Sequence, residues 1–255
     1  RALAVARETG DRRSEGVQLG NDAIMHLDQG RLDEAEALYL VAIEIVREAG
    51  DRRAEGRLLG NLALLLADRE RFAEARERYE RALAITRETG DRREEGIVLG
   101  NLADMLAHLG VLDEALAANK QARAVHRQTG NRRFEGVTLL AQAQIENFFG
   151  EIASAEASLD RAEAILGEMG DTLYVGLCAA LRGHLALARG LDASDHLRRA
   201  AETAATLGVG PESNLGTHIG RLERALEAAA AGLPLSHGHR EEDLSPGVRA
   251  WLRGA

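Results

Sequence analysis

Aromatic residues make up only 3% of this 255-residue chain, prolines number three, and there is one cysteine, Cys178. A lone cysteine excludes an internal disulfide framework, and with its apolar surroundings it points to a reducing, cytoplasmic setting. Few aromatics, and no β-branched strands bounded by turn clusters, exclude propeller blades. No apolar run approaches the roughly 18 residues a membrane span needs, so no membrane partner is expected. The formal net charge is −9, which disfavours general attraction to phosphate backbones and hence a nucleic-acid partner. Catalytic spacings are missing as well. There is no glycine-rich phosphate cradle with Lys-Ser/Thr, no histidine pair at metalloprotease spacing, no cysteine pair and no nucleophile elbow. The chain therefore reads as non-enzymatic, with no catalytic residues, no cofactor and no metal.

What is present is repetition. Ala, Leu, Glu and Arg dominate, the composition of a mostly helical protein, and Gly10-Asp11, Gly50-Asp51, Gly90-Asp91, Gly130-Asn131 and Gly170-Asp171 recur every forty residues. Sixteen of twenty-one residues are identical between Arg1–Asn21 and Arg81–Asn101. A period of this size marks a stacked array in which each unit needs a neighbour to bury its apolar face.

Within Asp51–Asp91, Leu58, Leu59, Leu62, Leu65 and Leu66 recur at helical steps. After a break around Asp68–Arg71 comes a second stripe: Phe72, Ala75, Tyr79, Ala82, Leu83 and Ile85. Asp51 reads as an N-cap and Gly90 as a left-handed C-cap. Each unit is thus two antiparallel helices. HEAT units are also helix pairs, so the small residues decide. Ala63, Leu66, Phe72, Ala75, Tyr79 and Ala82, with Ala23, Leu32, Ala35, Tyr39 and Ala42 one unit earlier, resemble the tetratricopeptide repeat (TPR). Leu19-Gly20-Asn21, Leu59-Gly60-Asn61 and Leu99-Gly100-Asn101 are similar to the long, Leu-Gly-Asn variety of that repeat.

The resemblance implies an all-α fold, a right-handed TPR superhelix (α-solenoid) of antiparallel helix pairs with a C-terminal capping helix. The expected parts are the second helix of a truncated repeat at 1–10, then repeats at 11–50, 51–90, 91–130, 131–170 and, degenerate, 171–210. A capping helix opened by Pro211 follows at 211–231. Last comes a polar tail at 232–255, with a short helix anchored by Trp251. Because the chain opens inside a unit, a longer parent protein with upstream repeats or an effector domain is expected.

By resemblance, the first helix of each pair lines the inner surface, and asparagine ladders there grip ligands. Asn21, Asn61 and Asn101 are the candidate ladder, since an Asn amide offers both a donor and an acceptor to an extended peptide. Asp28, Asp68 and His108 share a register two turns on, with Asp104, Gln144, Asn147, Phe148 and His184 on neighbouring positions. Ala141 breaks the ladder, which predicts a groove polar at one end and apolar towards Phe148. The arginine pairs Arg12-Arg13, Arg52-Arg53, Arg92-Arg93 and Arg132-Arg133 leave two readings open, a ladder of salt bridges between repeats or a strip for an acidic partner. The leading function is a protein- or peptide-binding module of a larger bacterial signalling or regulatory protein. The alternatives are a self-assembling scaffold (a homo-oligomer) and a ligand-sensing lobe. His237 and His239, with Glu241, Glu242 and Asp243, read as a solvated linker, and Asp192, Asp195 and His196 as capping plus a surface histidine.

Overall fold

The computed structural model describes residues 2–231, and its only regular elements among them are twelve helices. The tail beyond, with Trp251, His237 and His239, lies outside the described residues. The chain divides into two compact units, one reaching to Val111 and one starting at Leu112.

The first unit holds α1 (Ala2–Thr9), α2 (Arg12–Asp28), α3 (Leu32–Glu48), α4 (Arg52–Asp68), α5 (Phe72–Thr89) and α6 (Arg92–His108). Helices α2, α4 and α6 begin where an aspartate satisfies an orphan amide. Asp11 accepts from Ser14 N at 3.0 Å, Asp51 from Ala54 N at 3.1 Å and Asp91 from Glu94 N at 3.2 Å. The two α4 and α5 stripes read from the sequence are buried throughout. Antiparallel pairs α2/α3 and α4/α5 form the layers, and α3 also packs on α4 and α5 on α6. At two crossings inside the helices, glycine lets the backbones approach closely. A Cβ on Gly56 would meet Ile85 Cγ2 at 3.0 Å, so Gly56 lets α4 close on its own partner. Gly20 does the same towards the next first helix, where a Cβ would strike Leu58 Cδ2 of α4.

The second unit holds α7 (Leu112–Gln128), α8 (Arg132–Phe148), α9 (Ile152–Glu168), α10 (Thr172–Ala188), α11 (Ser194–Leu207) and α12 (Asn214–Ala230). Pairs α8/α9 and α10/α11 repeat the arrangement, and α12 lies against α10 and α11. Leu215, Ile219 and Leu222 of α12 are buried. Gly183 makes the space, because a Cβ there would strike Leu222. Pro211 does not open this helix. It sits in a turn, and Ser213 caps the helix through a 3.0 Å bond from Gly216 N. A hydroxyl that can accept from an orphan amide displaces the proline as the helix start.

No described helix is long and apolar enough to cross a membrane.

Candidate functional site

In the first unit the first helices of successive pairs lie side by side, with α4 directly against α6. The second helices cover one flank of each, so a stripe on the opposite flank stays open. On α2 this stripe carries Asn21, Ile24 and Asp28; on α4, Asn61, Leu64 and Asp68; on α6, Asn101, Asp104 and His108. The helices run in parallel with a forty-residue offset, so these residues form three rows across the face. Asn21 is exposed, and Asn61 and Asn101 are half-buried. None of the three amides hydrogen-bonds to a described residue.

The row at the C-terminal ends of these helices is acidic. His108 Nδ1 stands 3.7 Å from Asp104 Oδ2, while Asp68 has no ion pair among the described residues. Partial withdrawal from water, then repulsion from Asp104, pushes the Asp68 carboxyl above its ordinary range, and His108 partly offsets this. Tyr79 of α5 is fully buried, and its hydroxyl has no hydrogen-bond partner. Burial, then the carboxylates of Asp104 and Asp68, drive that phenol well above its usual range. Tyr39 repeats the arrangement one unit earlier with Asp28 alone, its phenol pushed to about 12, chiefly by burial.

In the second unit the corresponding stripe of α8 carries Ala141, Gln144 and Phe148. Gln144 is half-buried, as is Asn147 beside it, and Phe148 is 38% exposed. His184 on α10 is not open. It is half-buried, and the cause is α12: desolvation and nearby Arg221 push the imidazole down, while His218 opposes them. It is a contact of the terminal helix, which occupies the place a further repeat's first helix would take.

The arginine pairs form ladders. Arg52 NH1 donates to Glu55 at 2.6 Å and NH2 to Glu88 at 2.7 Å, and Arg47 Nε reaches the same Glu55 at 2.9 Å. Arg12 repeats this with Glu15 at 2.7 Å and Glu48 at 2.9 Å, and Arg132 with Glu135 and Glu168 at 3.5 and 3.4 Å. Arg92 pairs with Glu95. The second member of a pair reaches the next unit's cap, Arg13 to Asp51 at 2.5 Å and Arg133 to Asp171 at 2.7 Å. These bonds favour the inter-repeat reading. At the start of α11, Asp192 accepts from the Ser194 amide and hydroxyl at 3.0 and 2.7 Å, and Asp195 pairs with Arg198. No group of described residues is placed to hold a metal ion.

Sequence reading missed Ile24 and Leu64, each 41% exposed between the asparagine and acidic rows. The signal was there: Leu64 falls off the three- and four-residue steps of the α4 core stripe, so its apolar side chain has to face out. A polar chain between α7 and α8, buried at Gln142 and Glu146 and half-buried at Arg123, was also missed. Arg123 NH1 donates to Gln142 Oε1 at 2.7 Å, and Gln142 Nε2 to Glu146 Oε1 at 2.6 Å. One unit earlier the same positions hold Leu83, Leu102 and Leu106.

Stacked antiparallel helix pairs with small residues at close crossings define an α-solenoid. The tetratricopeptide repeat profile matches residues 19–88 and 94–168, and the chain belongs to that family. Repeats of this family mediate protein–protein interactions. No curated protein matches the chain.

Proposed function

We propose that the chain is a non-catalytic module that holds an extended protein or peptide segment against the open face of α2, α4 and α6. One observation carries this reading. Three asparagine amides stand in a row, one per repeat, without an internal partner. Each can donate to a backbone carbonyl and accept from a backbone amide. Ile24 and Leu64 beside them offer apolar surface to alternate side chains of the segment. Gln144, Asn147 and Phe148 form a candidate contact face of the second unit by itself; His184 does not belong to it. By the long-repeat resemblance, the module serves a larger bacterial signalling or regulatory protein in the cytoplasm.

Net hydrogen bonds contribute about 0.5–1.5 kcal/mol each, so three asparagines are expected to supply about 3 kcal/mol, roughly a hundredfold in affinity. Replacing Asn21, Asn61 and Asn101 together with alanine should weaken binding by that order and leave the melting temperature nearly unchanged. Equal binding by the triple variant would retire the reading.

Self-assembly is a second reading with its own observation. Leu40 and Val41 of α3 are 47% and 51% exposed where the next repeat has Glu80 and Arg81. Light scattering over a concentration series tests it, and a strict monomer excludes it for this chain.

A further inference from the structure

We propose that the apolar end of α8, Phe148 and Phe149, is the docking site of the chain's own segment 248–253, with Trp251 as the anchor. The docking stands by itself. Its consequence, that an incoming segment must displace the tail from the second unit's face, rests on the peptide-binding reading above.

Phe148 and Phe149 are 38% and 43% exposed, two adjacent aromatic rings open to water. The corresponding positions carry Asp28-Gln29, Asp68-Arg69 and Ala188-Arg189, or His108 beside a buried Leu109. Only here, among the described units, does the end of a first helix present two exposed apolar side chains. Glu151, two residues on, is exposed and has no ion pair among the described residues. The patch therefore suits an apolar anchor with a cation beside it.

The tail carries both. Val248, Trp251 and Leu252 are spaced to share one face of a helical turn, and Arg249 and Arg253, four residues apart, share the next. The route is short. Leu215 and Leu222 fill the spaces left by Gly176 and Gly183, each pair thirty-nine residues apart, so α12 runs parallel to α10. α8 has the same direction, because α9 reverses the chain between them. α12 thus ends on the same side of the unit as α8. Packed helices lie about 8–10 Å apart, which puts α8 about 20 Å from α12 across α10. Trp251 lies twenty residues beyond Ala231, and a chain of that length has an r.m.s. span of about 25 Å. A tether whose r.m.s. length matches the gap gives the highest effective concentration, so the tail is favoured over a free segment of equal strength.

Trp251 also provides the readout, as the single tryptophan of the intact chain. Acrylamide should quench its fluorescence at least twofold less than that of N-acetyltryptophanamide, with no change over a hundredfold dilution. Phe148→Ser/Phe149→Ser should raise the quenching at least twofold, with circular dichroism as the check on folding. Glu151→Arg is a second route that leaves the rings in place. It should raise the quenching, and adding Arg249→Glu and Arg253→Glu should lower it again. Leu40→Ser/Val41→Ser, on the exposed apolar pair of α3, should change nothing. Equal quenching in the native chain and the Phe148/Phe149 variant would overturn the proposal. So would exposure of Trp251 by the Leu40/Val41 variant instead, or protection lost on dilution, which marks a second copy's tail.

The consequence is read with random twelve-residue peptides selected by phage display on the intact chain. A peptide weakened by Gln144→Ala should bind a Trp251→Ser chain several-fold more tightly than the native one. Equal binding would overturn the covering of this face. Failure to select any peptide would strike the groove reading and leave the docking decided by the fluorescence.

Discussion

Replacing Glu55 with glutamine tests whether the arginine rim holds the array together. Glu55 is 1% exposed and accepts from Arg47 Nε at 2.9 Å and Arg52 NH1 at 2.6 Å. Each charge-assisted bond contributes about 1.5–3 kcal/mol, and breaking a fully buried pair costs about 3–5 kcal/mol. The two guanidiniums, however, are 37% and 42% exposed and keep Glu44 and Glu88 as partners. They can rehydrate, which removes much of the penalty for stranded charge. The expected loss is therefore about 2 kcal/mol, below the buried-pair figure and above the roughly 0.2–1 kcal/mol of a surface pair. Urea unfolding followed by circular dichroism reads it, with an unchanged m-value showing that only stability moved. Glu44→Gln is the control. Glu44 is 64% exposed and meets Arg47 alone, so its loss should stay under about 1 kcal/mol. If both variants behave alike, the ladder is merely solvated charge and the argument fails.

Three further outcomes follow from the same structure. Glu70 has φ 58° in the turn where the other units place Gly30, Gly110, Gly150 and Gly190; Glu70→Gly should stabilise by about 1 kcal/mol, and lower stability in urea would show that its side-chain contact outweighs the strain. The folded state raises the Asp68 pKa, so the native form binds its proton more tightly than the unfolded chain and the ionised group costs stability above that pKa. Asp68→Asn should thus raise the melting temperature at pH 7, with the gain disappearing as pH falls below the unfolded value; a constant difference across pH would refute the linkage. Finally, giving Arg123, Gln142 and Glu146 the leucines of the preceding repeat should stabilise by about 1–4 kcal/mol, because Glu146 Oε2 is buried without a partner and burial pushes the Arg123 guanidinium down; a loss on thermal melting would mean the polar chain is needed.

The fold was legible because repetition and helical spacing report the same constraint. Leu58, Leu59, Leu62, Leu65 and Leu66 had to share a flank, and all five are buried. Rows of the candidate face were legible too, since a fixed offset puts Asn21, Asn61 and Asn101 at one level. Four things escaped. His184 follows the same spacing, but what covers it is α12, whose docking on α10 depends on contacts far along the chain. Pro211 looked like a helix start, and only the Ser213 bond to Gly216 N shows where capping wins. The α7/α8 polar chain is hidden because Arg123 and Glu146 occupy core positions while looking like surface residues, and only their mutual bonding through Gln142 makes their burial tolerable. Exposed Leu64 was hidden in the opposite way, as one leucine among many.

The side-chain amide resonances of Asn21, Asn61 and Asn101 give the most direct test of the central claim. A selected peptide should be titrated into isotope-labelled protein while those three NH2 pairs are followed. Shifts in all three with one common affinity are expected, with the Asn147 amide as a probe of the second unit. Saturating binding that leaves the three pairs unmoved would contradict the account.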